Sequence, residues 1–357
     1  MGVEAKIVRD KGMTDDNSRE VIESNRVYII DSTLMMYRYS RGIPPMSAGK
    51  ERTEAVYGFG KMLLSLMAKQ PGAVIAVFDH GQHNFRNYVL PTYKEHYVAM
   101  APELKSQIER AKEMCDVLGV PVYSVNEVEA DDVIGSLARK ASRWAKEVVV
   151  VSTDRDFFQL IGLGADETKV LVPSAETHGL GKAPVLYDEI GARAWMKEKY
   201  GVGFRPRFMG DLKAIAGSAS KDIPGVKGIG EKGAAKLVAQ YGPVEKIVAG
   251  LSHMPSGKGS LREKLEVGLA DLLKSKELTT IRTNVRLNQF KPEEIKGLKA
   301  YPANLAVAFF TTLGFKDLAR KSRKLAGQIL ATQAAGLHEQ VVAAESQGRS
   351  KTESLFL

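Results

Sequence analysis

The sequence predicts an α/β domain built on a buried parallel sheet, followed by an all-helical domain with a basic surface. Three observations carry this. Short runs rich in Val and Ile end in aspartate at Val27–Asp31 and Ala73–Asp79, and a third, Glu147–Val151, leads into Asp154 and Asp156. Helical spacing alternates with them, in Glu54–Met67 (Val56, Phe59, Leu63, Leu64, Met67) and Pro102–Leu118 (Leu104, Ile108, Ala111, Met114). Beyond Pro206 the strand-like runs stop, and a glycine-rich turn joins two helices.

In order along the chain, residues 1–25 are polar and aperiodic and are expected to be a disordered leader. Arg26–Asp31 reads as the first strand, and Arg38–Lys50, with Gly42 and Pro44-Pro45, as a loop. From Gly81 to Met100 the composition turns polar, aromatic and basic (His83, Phe85, Arg86, Tyr88, Tyr93, Lys94, His96, Tyr97). Cations interleaved with rings suit single-stranded nucleic acid, although a surface helix pair with snorkelling cations has the same composition. Val120–Val125 is a short strand leading into an acidic helix, Asp131–Arg139, and Phe157–Leu160 reads as core. Lys169–Leu186 is expected to form an edge hairpin and polar loop, Asp188–Tyr200 a helix, and Gly201–Pro206 a boundary. The division is therefore 26–203 for the first domain, 204–325 for the second, and 326–357 for a helical or flexible tail.

The chain has 357 residues, a formal charge of +9 and a pI near 9.3, which points to a polyanionic partner. Cys115 is the sole cysteine, so no intramolecular disulfide forms. No apolar run approaches the length that spans a bilayer. A monomeric protein of the cytoplasm, at the nucleoid or a phage replication site, is expected.

Glu129, Asp131 and Asp132 cluster at the start of the acidic helix, and Asp154 and Asp156 follow the tip of the next strand. Asp31 and Asp79 end two further strands, so parallel pairing would bring all seven carboxylates to one sheet edge, where ligands bind in open α/β sheets. Each alone reads as a helix or turn cap. Together they would repel unless a divalent cation neutralises them, and hard oxygen ligands suit Mg2+ or Mn2+.

In the second half, the helix Arg207–Ala216, the turn Gly217–Gly230 and the helix Glu231–Tyr241 form one unit. From Arg205 to Lys236 there are seven Lys/Arg against three Asp/Glu. Gly225, Gly228 and Gly230 allow backbone N–H groups close to phosphate, and Lys227, Lys232 and Lys236 add charge. Such a helical hairpin grips a phosphate backbone without reading bases.

Several motifs stand in fixed order: Val77-Phe78-Asp79, Phe85-Arg86, Tyr93-Lys94, Glu129-Ala130-Asp131-Asp132, Thr153-Asp154-Arg155-Asp156 and Ile223-Pro224-Gly225-Val226-Lys227-Gly228-Ile229-Gly230. From about Val27 to Lys321 the chain resembles the 5′-nuclease, or flap endonuclease, family: phage 5′-exonucleases and the N-terminal nuclease domain of bacterial polymerase I. The resemblance implies a PIN-like nuclease domain with a helical arch at about 81–110, followed by a helix-three-turn-helix DNA-binding domain. It implies a first metal cluster of Asp31, Asp79, Glu129, Asp131 and Asp132, and a second that includes Asp154 and Asp156. Arg86 and Lys94 would sit at the base of the arch, against the scissile phosphate and the threading 5′ strand.

The chain departs from the family at Gly217–Pro224. Ser218 and Lys221 stand where two aspartates would complete the second metal site. Lys221 would place a positive charge there, so the first site is expected intact and the second crippled. The expected function is metal-dependent hydrolysis at 5′ ends or flaps of DNA, with removal of RNA primers open to the same chemistry. The alternative is a non-catalytic, structure-specific DNA-binding protein on a nuclease fold; a ribonuclease leaves the duplex grip without a role. Leu355-Phe356-Leu357 on a polar tail resembles the short apolar plugs that dock into sliding clamps.

Overall fold

A computed structural model describes residues 26–81, 83–96, 99–164, 168–172, 184–287 and 301–353. The leader, Tyr97 and the Leu355–Leu357 plug lie outside the described residues.

The strand-like runs become a six-stranded sheet of β1 (Arg26–Asp31), β4 (Ala73–Val77), β5 (Val122–Tyr123), β6 (Glu147–Val151), β7 (Thr168–Val172) and β8 (Val185–Tyr187), ordered β5-β4-β1-β6-β7-β8. All neighbours are parallel except β7 and β8, the expected edge hairpin. β1 lies between β4 and β6, with Asp31 opposite Val77 and Ile30 opposite Val151. The chain grows to one side of β1 through β4 and β5, then returns to its other side at β6. The crevice between the C-terminal ends of β1 and β6 is thus the switch point of the sheet.

Residues 38–42, expected as loop, belong to helix α1 (Ser32–Gly42). Asp31 caps it by accepting from the Leu34 amide, and the helix closes before the Pro44-Pro45 pair. A small hairpin, β2 (Ser47–Ala48) with β3 (Glu51–Arg52), then leads into α2 (Glu54–Met67). The span expected to arch over the site holds a short helix, α3 (Phe85–Val89), a turn through 91–96, and α4 (Pro102–Leu118). Its described part lies against the body of the protein: Tyr93 packs with Ile223 and Leu278, and the Lys94 amide donates to the Lys221 carbonyl at 3.3 Å. The acidic helix α5 (Ala130–Ala141) and α6 (Glu189–Tyr200) complete the first half.

One sheet face, through Ile29, Ile75 and Val150, shares a core with α5 and with α7 (Met209–Ala216), α8 (Glu231–Tyr241), α9 (Val244–Ala249), α10 (Leu261–Val267) and α11 (Leu269–Thr279). The opposite face, through Tyr28, Ile30 and Val149, packs on α2 and α4. The C-terminal helices α12 (Ala303–Thr312) and α13 (Lys316–Glu353) join this second core through Phe310, Leu313, Phe315 and Leu318. The Tyr57 hydroxyl donates to Asp317 at 2.9 Å, and its ring meets Phe315 edge-on at 5.3 Å. The expected 204–325 unit is therefore not one packing body: its last part returns to the sheet-bearing half and shares the core of α2 and α4. Among the described residues no helix is long and apolar enough to cross a membrane.

Candidate metal centre and nucleic-acid interface

Parallel pairing brings Asp31, Asp79 and Asp154 to one edge, and α5 begins there with Glu129 as its N-cap. Asp31, Asp79 and Asp154 are each held by hydrogen bonds from the chain. Asp31 accepts from Leu34 N–H (3.3 Å) and from the Ser152 hydroxyl (2.8 Å), across the β1–β6 crevice. Asp79 accepts from Ala130 N–H at 2.9 Å, and Asp154 accepts from Asp156 N–H at 2.8 Å. Burial, and then Asp79, pushes the Asp31 carboxyl up to about 7. Burial also raises Asp131 well above the carboxylate range, with Asp154, Asp31 and Glu129 adding repulsion against the pull of Lys221. Asp154 is raised by burial and then by Asp156.

The remaining carboxylates are already paired. Asp132, expected as a metal ligand, is fully buried and turned away: Arg86 grips it bidentately at 2.6 and 3.1 Å, and it accepts from the Arg282 amide at 2.8 Å. Adjacent positions on a helix face different sides, so Asp131 and Asp132 cannot both look into the crevice. The Arg86 guanidinium, in the wall of the adjoining cavity, is buried and also donates to the Leu278 and Thr280 carbonyls, so it ties α3 to α5 and α11. Glu129 is bound by Lys94 (2.7 Å), Arg86 (3.2 Å), Asn84 (3.0 Å) and Tyr93 (3.3 Å), and these cations hold it below the carboxylate range despite burial. Lys94 is half-buried, its ammonium over the Tyr93 ring at 5.3 Å and its backbone left-handed at φ 56°.

The departure at 217–224 is resolved sterically. Ser218 and Ile223 exchange backbone hydrogen bonds across a tight turn, which swings Lys221 back so that its Nζ lies 3.0 Å from Asp156 Oδ2. Lys213, which no sequence signal singled out, lies 3.8 Å from the same carboxylate. Asp156 is lowered by these two ammonium groups against the effect of burial. Asp222 points away, towards His96 at 3.3 Å.

A cavity of about 150 Å³ opens here, lined by Glu129, Asp131, Asp154, Asp156, Lys213 and Lys221 among others. Among the described residues no three His, Cys, Asp or Glu side chains stand closed in ligating geometry. The donor chemistry nonetheless fits a hard cation: Asp31 is buried, Asp131 and Asp154 are half-buried, and none of the three oxygen donors has an ion pair among the described residues, Lys221 only partly offsetting the latter two. Glu129 and Asp156 would have to give up a lysine to join them.

In the glycine-rich turn the assignments divide. Gly228 (φ 82°) and Gly230 are exposed with Lys227, Lys232 and Lys236 at the start of α8, leaving N–H groups and cations open to an anion. Gly225 is corrected. It is buried at φ 63°, a Cβ there would lie 2.4 Å from the Gly217 nitrogen, and its amide donates to Ser275. It serves backbone packing, not phosphate contact. Lys264, beside the Gly228 carbonyl at 3.5 Å, adds a cation the sequence reading missed.

Comparison with known proteins agrees with this architecture. Residues 26–201 match the 5′-3′ exonuclease N-terminal resolvase-like domain, and residues 204–301 the 5′-3′ exonuclease C-terminal SAM fold. Thermostable DNA polymerase I of Thermus thermophilus is 33% identical over 281 residues, covering 77% of this chain and 31% of that protein. DNA polymerase I of Bacillus subtilis is 33% identical over 300 residues, 83% of this chain and 32% of that one. The chain thus spans about a third of the length of these relatives. In fold it resembles T5 5′-exonuclease with bound zinc (TM-score 0.56, 19% identity, 85% of this chain and 99% of that one). It also resembles the catalytic core of Rad2 in complex with DNA substrate (TM-score 0.51, 15% identity, 87% and 93%). With both domains matched in order along the sequence, the chain belongs to the 5′-3′ exonuclease family.

Proposed function

We propose that this nuclease is a structure-specific 5′-3′ exonuclease and flap endonuclease acting on DNA, with Mg2+ as its cation and Mn2+ as a competent substitute. The observation that carries the reading is the set of carboxylates without an ion pair among the described residues, Asp31, Asp131 and Asp154, beside a cavity flanked by lysines. Asp31, Asp79, Asp131 and Asp154 would hold the cation. When bound, it supplies Lewis acidity to the phosphate and makes water a better nucleophile at neutral pH. Glu129 fixes the Lys94 ammonium at the rim, where its charge stabilises phosphate oxygens as they gain negative charge. Lys227, Gly228, Gly230, Lys232 and Lys236 hold the duplex by its backbone, away from the cut. T5 5′-exonuclease binds divalent ions and the Rad2 core binds a DNA substrate, which supports the same ligands for this chain.

Cleavage of a 5′-labelled flap duplex in Mg2+, Mn2+ or EDTA, beside Asp131→Ala, tests this. Cutting is expected in either metal and is lost in EDTA and in the variant; binding without cutting in both metals would overturn it. We further propose that the protein acts inside the cell as a monomer and docks to a sliding clamp through Leu355–Leu357. Deleting those residues should abolish co-elution with the clamp, and unchanged co-elution would refute the docking.

A further inference from the structure

We propose that the ammonium group of Lys221 is the second cation of the cleavage site, so that the protein binds one divalent ion and carries the other positive charge on its own chain. The inference rests on the nuclease reading and specifies how the site works.

The acidic edge is neutralised unevenly. Asp156 meets Lys221 at 3.0 Å through one oxygen and Lys213 at 3.8 Å through the other. Asp31, Asp131 and Asp154 have no ion pair among the described residues, and Asp131 and Asp154 are the next groups that Lys221 acts on electrostatically. One side chain thus spans the gap between the compensated and uncompensated parts. A divalent ion at Asp156 would sit against two ammonium groups, and like charges at that separation exclude it. The ligands that would outweigh this repulsion are missing, since the turn offers only the neutral Ser218 and Ser220 hydroxyls to the cavity.

Lys221 is also held in place. Its amide donates to the Ser218 carbonyl at 3.2 Å, and its carbonyl accepts from the Lys94 amide at 3.3 Å. The ammonium therefore faces the cavity from a fixed turn braced by the 91–96 segment, with part of its side chain open to the cavity. In two-metal nucleases the pair of ions clamps the attacking and leaving oxygens of the phosphate. Here a fixed ammonium takes one of those positions. Lys221 forms and breaks no covalent bond and keeps its protons throughout, stabilising charge on the phosphate oxygens. Unlike an ion, it cannot be chelated away.

The test combines metal counting with cleavage. Mn2+ binding to the full chain with a non-hydrolysable flap duplex, followed by electron paramagnetic resonance and calorimetry, should give one ion. Ser218→Asp combined with Lys221→Asp should give two. Lys221→Met should keep the first Mn2+ with similar affinity while single-turnover cleavage falls roughly 10²-fold. Lys221→Arg should recover part of that loss, which a merely structural lysine would not require. Two Mn2+ ions on a wild-type protein that cuts would overturn this inference and leave the nuclease reading intact, as would full cleavage by Lys221→Met. A wild type that binds Mn2+ yet never cuts would overturn the nuclease reading itself. Circular dichroism of each variant separates misfolding from loss of charge, and Lys221→Arg retains the test if Lys221→Met does not fold.

Discussion

The two sides of the acidic edge have the same chemistry in sequence and opposite electrostatics in space. On one side Asp132, Glu129 and Asp156 each meet a cation of the chain: Arg86, Lys94 and Lys221. On the other side Asp31, Asp131 and Asp154 are crowded and held above the ordinary carboxylate range, by burial first and by one another second. Within the paired side the fully buried Arg86–Asp132 pair is structural, because removing a partner leaves a buried charge exposed to its full desolvation penalty. The unpaired side has no ion pair among the described residues, with Lys221 only partly offsetting Asp131 and Asp154, and it is the side proposed to hold the cation. Counting carboxylates cannot separate the two; counting their partners can.

The largest expected effect comes from breaking the paired side. Arg86→Ala leaves Asp132 buried without its counter-ion and should lower unfolding free energy by about 3–5 kcal/mol in urea titration. A stability loss below about 1 kcal/mol would place Arg86 with the substrate after all.

Neutralising the unpaired side should do the reverse. Asp131→Asn in EDTA should raise stability, on the order of 1 kcal/mol, because it removes a repelled buried charge, while abolishing cleavage in Mg2+. Thermal unfolding with and without metal checks this, and destabilisation in EDTA would contradict the assignment.

The pH dependence of the metal-free protein has a defined sign. Asp31 binds its proton more tightly folded than unfolded, so its contribution is fully present below about 4 and is lost as pH rises through about 7. Metal-free protein should therefore unfold at lower temperature at pH 8 than at pH 5, with Mg2+ restoring most of the difference at pH 8.

The smallest effect lies outside both sides. Lys227→Ala should weaken duplex binding a few-fold and reduce the slope of log affinity against log salt by about one, without changing single-turnover cleavage at saturation. A change in cleavage instead would mean the turn reaches the reacting phosphate.

By itself the sequence determined the parallel strands, the helices between them, the gathering of acidic residues at strand ends and the basic helical hairpin. These features repeat over short distances: Val148–Val151 reads as a buried strand whatever surrounds it. That Lys221 stands where an aspartate is expected came from the family resemblance, not from local pattern. Only the tertiary structure decided what depends on distant partners. Arg86 and Asp132 are 46 positions apart and Lys221 and Asp156 are 65, so neither pairing has a local signature. The return of Phe310 and Leu318 to the core of α2 and α4 is likewise long-range, and so is the burial of Gly225 against Gly217 and Ser275. Local pattern specifies which groups are charged or apolar; the fold specifies which of them are already satisfied.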